Sequence, residues 1–191
     1  MSLRESLIEE ATLMIQQKGV VSVTLRALGQ NLGVSRTAPY RHFEDKNDLL
    51  CAVAQRGFDQ FRKALCEQRL NGSVTSPLSR FQNMGMAYIE FALAHVPYYK
   101  LMFQEPSVME NKTVDLEKAS SEAFGELVAI LEECKTKGLV KNEPTLMMAS
   151  FVWSTMHGFS SLLIDNYQVK HSDIGGFKDY MINKVTSAIQ S

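Results

Sequence analysis

Four basic side chains with no carboxylate between them are the first feature that could do chemistry. Lys18, Arg26, Arg36 and Arg41 all fall within residues 11–43, a stretch that contains no Asp or Glu. Binding to a polyanion such as a nucleic acid requires a local positive patch on the protein surface, but it does not require a positive net charge. The net charge of −1 therefore does not argue against such a partner. A cluster of arginines is also often a solvated helix face, and both interpretations stay open at this point.

The other reactive residue types form no pattern that indicates catalysis. The four histidines include no pair four residues apart and no carboxylate at metal-ligand spacing, so we expect no metal site. The three cysteines have no C-x-x-C spacing, and we expect them to be reduced thiols. No nucleophile motif marks a hydrolase and no glycine-rich loop marks a phosphate site. We therefore expect neither an enzyme nor a cofactor.

Two short helices joined by a glycine turn are predicted to position the basic residues. Thr24 can cap a helix with apolar residues at every third or fourth position, and Gly33 can take the left-handed conformation that ends it. Ser35 can then cap a second helix that begins at Arg36 and ends near His42. Two helices with a turn of this length form a helix-turn-helix unit, which favours a DNA-binding surface over a solvated face.

The same stretch carries short motifs in a fixed order. They are Lys18-Gly19, Thr24-Leu25-Arg26, Gly33-Val34-Ser35, Tyr40-Arg41-His42-Phe43, Asp45-Lys46 and Leu49-Leu50. In this order they resemble the DNA-binding domain of the Tet repressor family of bacterial transcriptional regulators, over Ile8 to Leu50. Pro39 departs from the family pattern, where an aliphatic residue is more usual. Its missing N–H deletes the first hydrogen bond of the second helix and should loosen that turn.

The resemblance and the local charge together assign residues to double-stranded DNA. Hydroxyl, basic and helix N-terminal groups position a protein on phosphates, and the candidates of this kind are Thr24, Arg26, Tyr40, His42 and Lys46. The first residues of a recognition helix face the major groove, so the candidates for reading bases are Arg36, Thr37, Ala38 and Arg41, with Ser35 at the start of the helix.

The whole chain is predicted to be all-α, with two domains and about nine helices. A content of 45% hydrophobic and 21% charged residues is that of a globular protein. The helices are predicted at residues 3–17, 24–32, 36–42, 45–70, 76–95, 98–104, 114–137, 144–165 and 172–190, with a loop at 105–113. We expect a DNA-binding domain at residues 1–46 and a ligand-binding and dimerisation domain at 47–191, with a linking helix at 46–70.

The sequence contains no signal segment and no run of about 18 apolar residues, so we expect a cytoplasmic protein with no membrane partner. The helix predicted at 144–165 is apolar on almost every side, and we expect it to be buried all round. Together with the last helix it should form a homodimer interface. The apolar stripe of that last helix is predicted to be Ile174, Phe177, Met181, Val185 and Ala188.

The C-terminal half carries a second resemblance. The stretches 87–92 and 97–103, followed by Trp153-Ser154-Thr155-Met156-His157-Gly158, are similar to one branch of the same family, recognised by a Trp-x-x-x-His-Gly motif. This resemblance implies a small-molecule pocket and a dimer interface. A cavity between the helices predicted at 76–95 and 144–165 would suit a small hydrophobic or aromatic effector. Its candidate lining is Met84, Tyr88, Phe91, Met102, Phe103, Phe124, Trp153 and His157.

A simpler interpretation of these residues is that they form core. Methionine and aromatic stripes are core residues first of all, and a histidine such as His157 on an apolar helix is more often a hydrogen-bonded core residue than a ligand contact. We interpret the chain as a DNA-binding regulator, a repressor that binds a near-palindromic operator as a dimer and is released by an effector. The alternative is a ligand-binding or catalytic helical bundle with a vestigial helix-turn-helix, against which the intact Arg36, Tyr40, Arg41 and Lys46 argue.

Overall fold

The computed structural model describes residues 1–166 and 174–191. His171 and the predicted start of the last helix at Ser172 lie outside the described residues. The helices are α1 (Leu3–Lys18), α2 (Leu25–Asn31), α3 (Lys46–Arg69), α4 (Pro77–Ala94), α5 (Val96–Gln104), α6 (Pro106–Glu110), α7 (Val114–Thr136), α8 (Thr145–Ile164) and α9 (Ile174–Ile189). Within these ranges the β-structure is limited to one isolated bridge between Val140 and Gln190, so the predicted all-α fold class is confirmed.

The number of α-helices in the described residues agrees with the prediction, but their identity differs at two places. The segment predicted as a helix from Arg36 to His42 contains only a 3₁₀ turn, Pro39–Arg41, so that prediction is wrong. Proline has no N–H to donate to the carbonyl of Ser35, and the α-helical ladder cannot start there. The predicted loop at 105–113 contains α6, which begins at Pro106, because a proline is pre-organised for the first position of a helix.

The described chain divides into two compact units, and the first comprises residues 1–59 and 95–120. It contains α1, α2, the 3₁₀ turn, α5, α6 and the first parts of α3 and α7. Its core consists of fully buried apolar side chains, among them Leu7, Leu28, Phe43, Leu49 and Tyr99. Helix α5 is joined to α1 by a 2.9 Å hydrogen bond between the Tyr98 and Thr12 hydroxyls.

The second unit comprises residues 60–94 and the described part of 121–191. It holds the remainders of α3 and α7 together with α4, α8 and α9. Phe61 of α3 is fully buried at its centre, and Ile89, Ile130 and Leu131 surround the core from α4 and α7. No helix among the described residues is long and apolar enough to cross a membrane.

Helix α8 corrects one packing prediction. It was expected to be buried all round, but Leu146, Met147, Phe151 and Leu162 are exposed in the single chain. The opposite face is buried through residues such as Met148, Val152 and Met156. The prediction is wrong because hydrophobicity on every side shows that a face is apolar and does not show that the same chain covers it.

Helix α9 buries a neighbouring stripe instead of the predicted one. Ile182, Val185, Thr186 and Ile189 are buried, whereas Ile174 and Ala188 of the predicted stripe are exposed. Only Val185 is common to both sets. The inward stripe was missed because it contains a threonine, but the Thr186 hydroxyl donates to the Ile182 carbonyl at 2.7 Å and is satisfied within the helix.

Candidate functional site

The turn after α2 has the geometry that the sequence predicts for a helix end. Gly33 has φ +66°, in the left-handed region. Its N–H donates to the Gln30 carbonyl at 3.1 Å, and the Val34 N–H donates to the Gly29 carbonyl at 3.0 Å. These two bonds form a Schellman motif, which satisfies the last carbonyls of the helix and turns the chain sharply. The turn therefore fixes where the following segment leaves α2.

The segment after the turn is held by i to i−3 hydrogen bonds and by the ring of Pro39. The Ala38, Arg41 and His42 N–H groups donate to carbonyls three residues earlier, at 3.0 to 3.2 Å. Pro39 is buried, and a Cβ built on Gly29 would lie 3.2 Å from its Cγ. The proline that prevents an α-helix thus also packs the segment closely against α2, where a side chain at position 29 would require Pro39 to shift by a few tenths of an ångström.

The residues predicted to contact DNA are brought together on this framework, and most of them face solvent. Thr24, Arg26, Ser35, Arg36, Thr37, Tyr40, Arg41 and His42 are exposed, while Ala38 and Lys46 are half-buried. Among them, Tyr40 is a large aromatic side chain that is 55% exposed. The Ser35 and Thr37 hydroxyls lie 3.5 Å apart. The arrangement offers hydrogen-bond donors and positive charge on one continuous segment.

Thr24 and Lys46 already have structural roles at the edges of this surface. The Thr24 hydroxyl oxygen accepts from the Ala27 N–H at 3.1 Å and caps α2, which leaves its O–H free to donate elsewhere. The Lys46 ammonium donates to the Val20 carbonyl at 2.9 Å. An ammonium has three donors, so Lys46 can hold the turn before α2 and still meet a phosphate oxygen.

Helix α3 begins with the acidic cap that the sequence predicts. The Asp48 N–H donates to the Asp45 carboxylate at 2.9 Å, and the Glu44 N–H donates to the Asp48 carboxylate at 3.0 Å. These carboxylates satisfy free N–H groups and complement the positive end of the helix dipole. The start of α3 is therefore fixed directly beside the exposed basic segment.

The second unit contains a small cavity with apolar walls. Its volume is about 30 Å³, and it lies among the parts of α3, α4, α7, α8 and α9 that belong to this unit. The lining residues are Leu65, Phe81, Met84, Gly85, Tyr88, Leu127, Val152, Trp153, Met156, Ile182 and Val185. None of these side chains carries a charge, so the cavity can accept only an uncharged ligand without the cost of burying an unpaired ion.

Three of the eight residues predicted for a pocket line this cavity, namely Met84, Tyr88 and Trp153. Three more lie beside them. The Phe124 ring is 5.5 Å from Trp153, the Phe91 ring is 5.0 Å from Phe61, and His157 Nδ1 is 3.5 Å from the Tyr88 hydroxyl. Met102 and Phe103 belong to the first unit, where the Phe103 ring packs on Phe58 and Tyr99.

The aromatic residues around the cavity form an edge-to-face cluster. The Phe61 ring lies 4.9 Å from Tyr88 and 5.8 Å from Trp153, and the last two rings are 5.5 Å apart. Edge-to-face geometry is the favourable arrangement of aromatic rings. Burial lowers the pKa of His157, which borders this cluster, so its imidazole is neutral at pH 7. The polar edge of the cavity is thus a neutral Tyr88–His157 pair.

Ion pairs join α3 to α7 on another side of the second unit. The buried Glu126 carboxylate accepts from Arg62 at 3.3 Å and from Arg69 at 2.6 Å. Arg62 also pairs with Glu122, and Arg80 of α4 pairs with Glu133. A carboxylate that accepts from two guanidinium groups fixes the spacing of the helices that carry them. These contacts hold the α3 and α7 walls of the cavity.

Two family comparisons match successive parts of the chain. Residues 7–53 match the family described as bacterial regulatory proteins, tetR family. Residues 81–184, more than half of the chain, match the family described as tetracyclin repressor-like, C-terminal domain. The chain belongs to the TetR family. The predicted family resemblance is confirmed by these two matches.

Individual relatives agree with this membership of the TetR family. A transcriptional regulator of the helix-turn-helix type from Staphylococcus aureus (strain USA300) is 34% identical over 58 residues, which are 30% of this chain and 31% of the regulator. The matched segment therefore spans about a third of that relative. A protein of unknown function from Rhodococcus sp. RHA1 has a similar structure, with a TM-score of 0.88 and 25% identity over 100% of this chain and 97% of the other.

A second solved structure, a bacterial regulatory protein in the tetR family from Rhodococcus RHA1, has a TM-score of 0.75 at 15% identity. The match covers 100% of this chain and 98% of that one, and at this identity it shows a shared fold. This chain accordingly has the helical fold of the TetR family, with an N-terminal part and a C-terminal part that each match a family description.

Sequence reasoning missed several cavity residues of this TetR-family chain. Phe81 and Met156 lie three residues from Met84 and Trp153, so helical spacing from the predicted residues could have found them. Helical spacing does not indicate that Gly85 and Ile182 meet. Their role depends on a contact between α4 and α9, which are distant in sequence, and no local pattern encodes that contact.

Proposed function

We propose that this TetR-family protein is a repressor that binds a near-palindromic DNA operator as a homodimer and releases it when a small hydrophobic effector enters the cavity of the second unit. The observation that carries the proposal is the continuous exposed segment of basic and hydroxyl side chains held by the Schellman turn and Pro39. Residues 1–46 would supply DNA binding, and residues 47–191 ligand binding and dimerisation.

Two groups of residues would make different contacts with DNA, one with phosphates and one with bases. Thr24, Arg26, Tyr40, His42 and Lys46 would hold phosphates, because hydroxyl and basic groups position a protein without reading sequence. Arg36, Thr37, Ala38 and Arg41 would face base edges, with Ser35 at the entrance to the segment. The exposure of Arg36, Thr37 and Arg41 supports a contact with bases, since a side chain must be free of the core to enter a groove.

A gel-shift experiment on the DNA upstream of the protein's own gene tests DNA binding. Arg36→Ala should weaken binding to this DNA by about 1–3 kcal/mol and leave binding to unrelated DNA nearly unchanged, because a bidentate arginine distinguishes guanine from other bases. Arg26→Ala should weaken both by a similar factor and lower the salt dependence. Lys63→Ala, on the exposed side of α3 in the second unit, is the control without effect.

Two results would contradict these assignments. Equal losses on both DNAs for Arg36→Ala would make Arg36 a phosphate contact. If the unchanged protein fails to shift its upstream DNA at low salt, DNA binding itself is wrong for that site, and the alternative of a ligand-binding bundle with a vestigial helix-turn-helix gains support.

The dimer is proposed from the uncovered faces of α8 and α9. Met147, Phe151 and Leu162 of α8 and Ile174 and Tyr180 of α9 are exposed large apolar side chains. Several large apolar side chains exposed on two helices of one unit support an interface at this surface. A two-fold axis through it would present two recognition segments, which a near-palindrome requires about 34–36 Å apart.

Phe151→Glu should convert the dimer to a monomer, because the substitution places a charge in the proposed interface, and sedimentation measures the change. The matched control is Leu13→Glu on α1, since Leu13 is 45% exposed and Phe151 47%. Only the α8 variant should lose mass and tight operator binding. If Phe151→Glu stays dimeric, the interface lies elsewhere.

The effector is proposed to be small, uncharged and hydrophobic. The apolar lining supports this class, and the neutral Tyr88–His157 pair could orient one polar group. A release of DNA by about 100-fold lies within the usual range of coupling between two sites. We also propose that the C-terminal domain belongs to the branch recognised by the Trp-x-x-x-His-Gly motif, which Trp153, His157 and Gly158 supply.

A further inference from the structure

The cavity of the second unit is too small for the ligand that its walls would suit. Its volume is about 30 Å³. One water needs roughly 10–15 Å³ on this measure, and sites for drug-sized ligands occupy roughly 300–1,000 Å³. Any effector larger than a few atoms must therefore displace at least one side chain of the wall, and the identity of that side chain determines which effectors fit.

The two aromatic wall side chains Tyr88 and Trp153 are held in place by ring contacts. Tyr88 and Trp153 lie edge to face against each other and against Phe61. Moving either ring would break several favourable contacts at once. An aliphatic side chain of the wall can therefore be displaced at a lower cost in free energy than either ring.

Gly85 of α4 and Ile182 of α9 form an unusually close contact in this wall. A Cβ built on Gly85 would lie 2.5 Å from Ile182 Cδ1, whereas Ile182 Cγ1 would be 3.9 Å away. The terminal methyl of Ile182 therefore occupies the space that a side chain on α4 would need. This methyl lies at the end of a rotatable bond, and both residues line the cavity.

We propose that the contact between Gly85 and Ile182 sets the largest effector that the cavity accepts, and that Ile182 is the side chain which the effector displaces. Rotating the Ile182 methyl away from Gly85 opens space in the cavity without moving an aromatic ring. Gly85 is required because any larger residue would fill that space permanently. The inference rests on the proposed effector role of the cavity and names the residues that determine its size limit.

The test uses three uncharged, non-fluorescent probes of increasing size: cyclopentanol, cyclohexanol and adamantanol. Trp153 is the only tryptophan of the chain and lines the cavity, so its fluorescence reports binding. Ile182→Val removes Cδ1 and should strengthen adamantanol binding about 10-fold relative to cyclopentanol, since one methylene in an apolar pocket changes affinity by roughly 10-fold or more. Gly85→Ala should weaken the two larger probes by about the same factor.

The double variant Gly85→Ala with Ile182→Val tests whether the contact between these two residues itself sets the size limit. Without Cδ1, the nearest Ile182 atom to the new Cβ is the one at 3.9 Å, an ordinary contact. The double variant should therefore fold normally, even if Gly85→Ala alone does not, and should return to the size preference of the unchanged protein. Ile189→Val on the same helix, buried but outside the lining, and Gly125→Ala, where a Cβ meets nothing within 4 Å, are the matched controls.

The possible failures have different meanings. If the unchanged protein responds to the probes but Ile182→Val keeps its size preference, or the double variant departs from that preference, the proposed size limit is wrong and the effector cavity stands. If no probe changes Trp153 fluorescence in the unchanged protein or in Ile182→Val, the effector role of the cavity fails, and this inference fails with it.

Discussion

The segment from Thr24 to His42 and the cavity around Trp153 differ in what holds their side chains. In the first, backbone hydrogen bonds and one packed proline order the chain, and the candidate functional side chains remain exposed. In the second, the functional side chains are themselves the packing, through the rings of Phe61, Tyr88 and Trp153. A change to an exposed side chain that caps no helix should therefore affect function alone in the first region, whereas a side-chain change in the second should affect function and stability together.

The largest effect is expected where a ring of the cavity cluster is removed. Phe61→Ala should lower the free energy of unfolding by about 3–5 kcal/mol, because a fully buried phenylalanine leaves a void beside Tyr88 and Trp153. Tyr40→Ala, which removes an exposed ring from the basic segment, should change it by less than about 0.5 kcal/mol. Urea denaturation measures both.

The order of the two variants should be reversed in operator binding, where Tyr40→Ala should have the larger effect when both are assayed well below the unfolding temperature. There Tyr40→Ala should weaken binding, while the remaining folded Phe61→Ala protein should retain it. A large stability loss in Tyr40→Ala would show that the ring supports the fold and would remove the distinction between the two regions.

A smaller effect should follow from changing the backbone of the first region. Gly33→Ala should lower the free energy of unfolding by about 1–2 kcal/mol, because an L side chain is strained at φ +66°. Gly125→Ala lies on the exposed side of α7 and should instead stabilise by up to about 1 kcal/mol. Equal effects of the two substitutions in thermal unfolding would mean that the Schellman turn does not order the segment.

The two regions also differed in how far the sequence could predict them. The helix end at Gly33 and the caps at Thr24 and Asp45 depend on hydrogen bonds between residues at most five positions apart, and a local pattern encodes them. The exception was the segment after Ser35. There the capping pattern at Ser35 favoured a helix, but the missing N–H of Pro39 and its packing on Gly29 produced a 3₁₀ turn.

For the cavity, the sequence could predict only that apolar helices contribute residues to it, and it could not predict which helix faces meet. Met84, Tyr88 and Trp153 were found because they lie on helical stripes, whereas the contact between Gly85 and Ile182 joins positions almost a hundred residues apart. The choice between two adjacent stripes on α9 was wrong for the same reason. Helical periodicity gives the possible inward faces, and packing against α4 and α8 decides among them.

The smallest expected effect tests the electrostatics of the cavity edge. Burial lowers the pKa of His157 below its ordinary value of 6.5. Between the lowered pKa and pH 6.5 the unfolded chain therefore binds a proton that the folded chain does not, so stability falls as the pH falls through this window and is constant above it. His157→Gln should remove this part of the pH dependence, a small effect because solvent screens a half-buried group. His42→Gln, at an exposed position of the basic segment, is the control, and unfolding curves from pH 7.5 down to about pH 5 compare the stability of the two variants with that of the unchanged protein.

If His157→Gln and the unchanged protein lose stability in parallel, the imidazole is hydrated in the folded chain, and the cavity edge is as open to water as the basic segment.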